Sequence, residues 1–188
     1  SLSKIMATSL DLITQLLCGE KCMKIIFILL ICLAFLPSAF AQDWRKMSES
    51  ELKSAVPETA PVIKENIETE FRTASGITNG TKNIFGVVII TAGYEADGKY
   101  THFLKTANKI SFGKVVLKAG EYIFGYKRLD NTTLNVSFYQ AHTGKLVGSV
   151  KAKVEQKKGA IYSLLIEPPI EKKGKIYIGR FSFEYVLG

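Results

Sequence analysis

The chain has 188 residues, a formal net charge of +8 and three cysteines. The cysteines, Cys18, Cys22 and Cys32, all fall in an N-terminal part that carries an export signal. About 150 residues remain beyond that part, which is enough to bury one hydrophobic core. The composition therefore excludes a disulfide-stabilised mature domain and indicates one domain with an ordinary apolar core.

Residues 23–41 have the three parts of a secretory signal peptide. Met23-Lys24 supplies a start and a positive charge, Ile25 to Leu36 is an unbroken apolar run, and Ala39-Phe40-Ala41 places small residues at a cleavage site. The alternative is a membrane anchor, but a bilayer span needs about 20 apolar residues and this run is shorter. We expect cleavage before Gln42 and an exported protein, periplasmic or secreted, with no transmembrane anchor after cleavage.

Residues 1–22 need a separate interpretation, because the chain opens with Ser1 rather than Met. A start at Met6 would give a long leader containing Asp11 and Glu20. We favour Met23 as the start, which makes 1–22 an upstream or mis-started segment.

Residues 42–83 are polar and charge-rich and precede the main β region, 84–188. Ser48 to Glu51 reads Ser-Glu-Ser-Glu, a capping box placed just ahead of Leu52. This pattern is typical of a helix N-terminus and predicts a short helix near 48–55.

The spacing of apolar residues is ambiguous farther along this segment. Ile63, Ile67 and Phe71 recur every four residues. That interval fits one face of a helix, and it also fits alternate positions of a strand. The sequence leaves helix and strand open over 61–75.

The region 84–188 reads as short strands separated by turn residues such as Asp97-Gly98 and Thr143-Gly144. Parallel strands need crossover connections of about a dozen residues or more, so turns this short demand antiparallel pairing. We predict a mainly β fold, an antiparallel β-sandwich of about seven to nine strands with a short N-terminal helix. The predicted strands are 85–91, 100–105, 109–112, 115–117, 121–128, 133–139, 145–154, 161–166 and 175–186.

Two rows of aromatic residues each occupy one face of a predicted strand. Such rows usually fill a core, but an exposed row can stack on sugars. The candidate ligand-binding residues are Tyr122, Phe124 and Tyr126. The second row comprises Tyr177, Phe181, Phe183 and Tyr185.

The mature chain is poor in residues that carry catalysis. It has two histidines, His102 and His142, no cysteine, and no G-x-S-x-G, H-E-x-x-H or phosphate-loop motif. We expect no catalytic residues, no metal site and no cofactor. The alternative is a hydrolase or metal-dependent enzyme that uses His102 or His142.

A local pattern resembles a known kind of module. Residues 114–124 read K-V-V-L-K-A-G-E-Y-I-F and contain L-x-A-G-x-Y; V-S-F-Y at 136–139 and T-G-K-L-V-G at 143–148 follow. This is similar to a hairpin of exported bacterial β-sandwich domains of unknown function and of transthyretin-like and carboxypeptidase-regulatory-like sandwiches. The resemblance implies a β-sandwich and carries over no functional residue.

These features together predict an exported, non-enzymatic β-sandwich module that binds a partner protein or a glycan. Its basic charge suits acidic polysaccharides or lipid headgroups, although lysines also keep β-proteins soluble. We expect no nucleic-acid partner. A structural subunit of an extracellular assembly, joined through edge strands, is a further alternative.

Overall fold

The computed structural model describes residues 43–91, 99–155 and 159–188. The signal peptide at 23–41, the segment 1–22 and the Asp97-Gly98 turn lie outside these residues, so those features stay predictions. The helix is α1 (Glu49–Ala55), and the strands are β1 (Arg45–Lys46), β2 (Thr59–Val62), β3 (Glu65–Thr78), β4 (Asn83–Ile89), β5 (His102–Thr106), β6 (Ile110–Phe112), β7 (Val115–Leu117), β8 (Gly120–Arg128), β9 (Thr133–Gln140), β10 (Leu146–Val154), β11 (Tyr162–Ile166), β12 (Lys173–Gly179) and β13 (Phe181–Leu187).

Helix α1 begins at the capping box in the sequence, which confirms the short N-terminal helix. The Ser48 hydroxyl accepts a hydrogen bond from the Glu51 N–H at 3.3 Å, and the Glu51 carboxylate accepts one from the Ser48 N–H at 2.8 Å. The Arg45 guanidinium donates to both oxygens of the same carboxylate at 2.7 and 2.8 Å. This bonding lowers the pKa of Glu51 to about 2.

The strands form one antiparallel sheet that curls until its two ends meet. Its order is β1-β3-β4-β5-β8-β9-β10-β13-β12-β11, with β2 paired to β3 and the β6–β7 hairpin attached to β13. Strand β11, the last in this order, packs against β3 and β4, which are the second and third. There the Ile166 N–H donates to the Ser75 hydroxyl at 2.9 Å. The mainly β, antiparallel prediction is confirmed.

The predicted sandwich of about seven to nine strands is wrong, because thirteen strands make a single nearly closed, barrel-like sheet. Part of the error lies in 175–186, which contains two strands. Gly179 adopts a φ of +61°, a left-handed conformation that glycine accepts readily. The chain reverses there, and β12 pairs with β13. The row from Tyr177 to Tyr185 is therefore divided between two strands.

The segment 61–75 proves to be strand on both sides of a turn at Ile63 and Lys64. Strand β3 pairs with β2 through residues 65–68 and with β4 through residues 69–78, with a bulge between Glu70 and Ser75. The sheet thus includes residues on both sides of the 83/84 boundary suggested by the sequence. In β3, Ile67 is buried whereas Phe71 is only partly buried.

Alternate residues of β4 and β5 enter two separate cores, one on each face of the sheet. Ile84 and Leu104 belong to the inner core, which the curled sheet encloses. Val87 and Phe103 belong to the outer core, which α1 and β2 cover with Leu52 and other apolar side chains. Burial on both faces explains the continuous apolar run of β4.

The two ends of the enclosed space differ. The β6–β7 hairpin fills one end with Ile110, Phe112 and Leu117, all almost fully buried. The Phe112 ring stacks on Phe138, with centroids 4.7 Å apart. The other end holds an open cavity. Within the described residues, the structure contains no helix of the length and apolar character needed to cross a membrane.

Candidate functional site

A cavity of about 660 Å³ opens at the end of the sheet opposite the β6–β7 hairpin. We call it the cup. Its volume lies in the range of small-molecule sites, which often occupy the mouths of curled sheets. Apolar side chains at its walls are Val88, Leu134, Ile161, Ile178 and Phe181; polar and aromatic residues are Thr91, Thr101, His102, Tyr126, Arg128, Tyr162, Ser163 and Arg180.

His102 lines the cup from the inner face of β5 and is only 3% exposed. Its Nδ1 lies 2.7 Å from the Thr101 hydroxyl, which also lies 3.3 Å from the Phe124 carbonyl oxygen. Burial lowers the pKa of His102 to about 4, and the Ser163 backbone opposes this shift only in part. The imidazole is therefore neutral at physiological pH.

The Nε2 atom of His102 is buried and has no hydrogen-bond partner of normal geometry within the described residues. Buried polar atoms almost always have such a partner. The Ser163 backbone is close enough to the ring to oppose the fall of its pKa, so the nitrogen lacks only a hydrogen bond of normal geometry.

Two arginines stand at the rim of the cup. Arg128 ends β8, and Arg180 lies in the turn between β12 and β13. The Arg128 guanidinium carbon lies 5.3 Å from the Phe181 ring centroid, a cation–π contact that steadies it. Both side chains are exposed, and neither forms an ion pair with any carboxylate of the described chain.

The aromatic row Tyr122, Phe124 and Tyr126, which the sequence offered as a ligand-binding surface, lies largely inside the protein. Tyr122 is 8% exposed and Phe124 is 1% exposed, so both rings belong to the inner core. Tyr126 is 36% exposed and lines the cup. Of the row, only Tyr126 presents a ring to the surface, so the three residues do not form a flat aromatic surface for a ligand.

The sequence did not indicate several residues of the cup. Tyr162 pairs with Gly179 across β11 and β12, which places it beside Arg180, and the curling of the sheet brings Arg128 on β8 to the same cavity. The only feature of the sequence that could have indicated them is their position, because each lies at or next to the end of a strand.

The second histidine belongs to a different surface. His142 lies in the turn after β9, and its Nε2 is 3.1 Å from a Glu121 carboxylate oxygen. Lys105 binds the other oxygen of Glu121 at 2.9 Å, and these contacts lower the pKa of Glu121, the lysine contributing most. Glu121 follows the outer alternation of β8, whereas His102 faces inward, so the two histidines do not share a site.

Neither histidine belongs to a cluster of metal ligands in the part of the chain that the structure describes, where no three His, Cys, Asp or Glu side chains are grouped as such a site requires. The cup residues supply one imidazole, hydroxyls and guanidinium groups. Arginine carries no lone pair for a cation, so this donor set suits an anion or a polyol.

A second cavity of about 650 Å³ lies beside β11 and β12. Its side chains include Glu155, which accepts from Lys175 at 2.8 Å and from Ser182 at 2.9 Å. Tyr177 also interacts with Glu155, and burial is the main cause that raises the pKa of Tyr177. Because this polar cluster satisfies its own charges, it makes a weaker case for a ligand than the cup.

Comparison of the chain with protein-family models, with curated proteins and with solved structures found no match. The function must therefore be inferred from the residues of the cup.

Proposed function

We propose that this chain is an exported, non-enzymatic module that binds a glycan in the cup. The observation that carries the proposal is the combination of exposed Tyr126 and the two rim arginines around one cavity of ligand size. Sugars present C–H faces that pack on aromatic rings and hydroxyls that need hydrogen-bond partners. The cup offers both kinds of surface within a short distance of each other.

The composition of the walls favours a glycan over a purely apolar ligand. Ile161, Ile178 and Phe181 supply apolar contact, while Thr91, Thr101 and Ser163 supply hydroxyl groups. Small-molecule sites typically combine an apolar lining with a few convergent polar groups. A long aliphatic chain has no room beyond the floor, because Phe124 and Phe138 fill the space below it.

The non-enzymatic part of the proposal rests on the state of His102. A general base works best when its pKa is near the working pH, and burial takes the pKa of His102 down to about 4. Its Nδ1 partner is the Thr101 hydroxyl, not a carboxylate that would stabilise an imidazolium. These features support binding rather than acid–base catalysis.

Export, to the periplasm or the medium, belongs to the same proposal and rests on the signal pattern at 23–41. Mass spectrometry of the protein recovered outside the cytoplasm tests it. We expect a mass that corresponds to residues 42–188, and a protein retained in the cytoplasm at full length would contradict export.

Retention of the protein on immobilised polysaccharides tests glycan binding. We expect retention on at least one of cellulose, chitin and polygalacturonate, and a loss of retention in Tyr126→Ala. Leu146→Ala is the matched control, because Leu146 is exposed at the opposite end of β10. The bound polysaccharide should keep its chain length.

Three results would count against the proposal. Failure to bind any of the polysaccharides would contradict a glycan ligand and favour a protein partner. Equal retention of wild type and Tyr126→Ala would mean that the polysaccharide binds at a surface other than the cup. Shortening of the polysaccharide chains would show that the protein cleaves them and would contradict a non-enzymatic module.

A further inference from the structure

The charged residues in the described lining of the cup all have one sign. Its described lining contains Arg128 and Arg180 but no Asp or Glu. Elsewhere the described arginines are paired, as Arg45 is with Glu51 and Arg72 with Glu70. Two exposed guanidinium groups beside one cavity therefore set up a positive potential that an anionic ligand would relieve.

Guanidinium geometry narrows the kind of anion. Planar guanidinium groups bind oxyanions such as carboxylates and phosphates through two parallel hydrogen bonds. The floor of the cup is closed by the buried, neutral imidazole of His102, so the described residues offer a second charge only at the rim.

We infer that the cup binds a sugar that carries a carboxylate, such as a uronic acid. This inference rests on the proposed glycan-binding function and narrows it. The carboxylate lies at the rim against Arg128 and Arg180, and the pyranose ring packs on Tyr126.

The closed floor also defines which part of a glycan enters. An internal unit of a chain needs a groove that is open at both ends. The cup ends at His102, which lies on Phe124 in the inner core. The site therefore takes the terminal sugar of a chain, with the rest of the glycan leaving past the rim.

Calorimetric titration with two short oligosaccharides tests this inference. The probes are trigalacturonic acid and its uncharged counterpart, galactotriose, at one ionic strength near 0.15 M. We expect the acidic probe to bind about tenfold more tightly, and Arg128→Gln and Arg180→Gln each to weaken it by about tenfold, since each removes a charge-assisted bond. Lys151→Gln removes an equal charge from an exposed position on β10 and should change affinity less than about twofold.

The stoichiometry with polygalacturonate tests the end-on mode. Binding should saturate at one protein per chain end, independent of chain length. Saturation that grows with chain length would overturn terminal recognition.

The outcomes separate the inference from the function on which it rests. Equal affinity for both probes, lost in Tyr126→Ala, would refute acid recognition and leave glycan binding in place. An acidic preference that Lys151→Gln reduces as much as Arg128→Gln would show general charge attraction and refute a site at the cup. Absence of binding to either probe and to the immobilised polysaccharides would refute both.

Discussion

The imidazole of His102 lies flat on the ring of Phe124, with ring centroids 4.6 Å apart and planes inclined by 12°. The two residues are direct neighbours across β5 and β8. This stacking fixes the histidine against the inner core, and the Tyr126 ring lies beside the same imidazole, with centroids 6.2 Å apart. A group usually found in water is thereby held in an apolar setting, and its protonation becomes coupled to folding.

Protonation of His102 should destabilise the fold. Its pKa is about 4 when folded and about 6.5 when unfolded, so the unfolded chain takes up a proton first as pH falls. The associated stability is fully present above pH 6.5, decreases as pH falls, and stops changing below about pH 4. The predicted loss is about 3 kcal/mol, measured by urea denaturation at a series of pH values.

The variant His102→Phe separates this effect from the titration of carboxylates. It keeps an aromatic ring against Phe124 and removes the titrating group, so its stability should vary less between pH 6.5 and 4.5. Leu146→Ala, which changes an exposed position that does not titrate, should keep the wild-type slope. An identical slope in His102→Phe and wild type would disprove the coupling.

The seam where β11 meets β4 depends on the absence of a side chain at Gly86. A Cβ atom there would lie 2.8 Å from Cδ2 of Leu164 and 3.1 Å from the Phe103 carbonyl oxygen. Gly86→Ala should therefore reduce the free energy of unfolding by about 1–3 kcal/mol. Chemical denaturation measures this loss.

A double-mutant cycle with Leu164→Ala checks the cause of that loss. Removing the Leu164 side chain opens a cavity, but it also relieves the closest contact of the new methyl group. The cost of Gly86→Ala should be smaller in the Leu164→Ala background. Strict additivity would mean that Leu164 does not approach Gly86 as the structure has it.

The N-cap of α1 should contribute measurably to stability, because the helix covers the outer core with Leu52. Ser48→Ala removes the side-chain acceptor of the Glu51 N–H and should cost about 1 kcal/mol. Ser54→Ala, an exposed position within the same helix, is the control and should change stability by less than about 0.5 kcal/mol. Equal effects of the two substitutions would argue against capping.

Local signals in the sequence predicted much of the secondary structure. The capping box at Ser48 marks the start of α1, and the alternation over 133–139 matches β9. The strand at 115–117 is found with the same bounds. Each of these features depends on residues close together in the chain, so its signal is contained in a short window.

The closure of the sheet could not be predicted in this way. It depends on contacts between residues far apart in sequence, such as Ser75 with Ile166. The turn at Gly179 also carries no Pro or Asp-Gly signal, so 175–186 reads as one strand. The cup shares this limitation, because Tyr126 and Arg180 become neighbours of one cavity only after the sheet has curled.

Mapping of the bound glycan by NMR tests the central claim most directly. Trigalacturonic acid is titrated into isotope-labelled protein, and the shifts of backbone amides and arginine Nε–H groups are followed. The account predicts saturable shifts concentrated at Tyr126, Arg128, Ser163 and Arg180, with little change at Lys151 or in the turn that holds His142. Saturable shifts clustered outside the cup, or no saturable shift at millimolar probe, would contradict it.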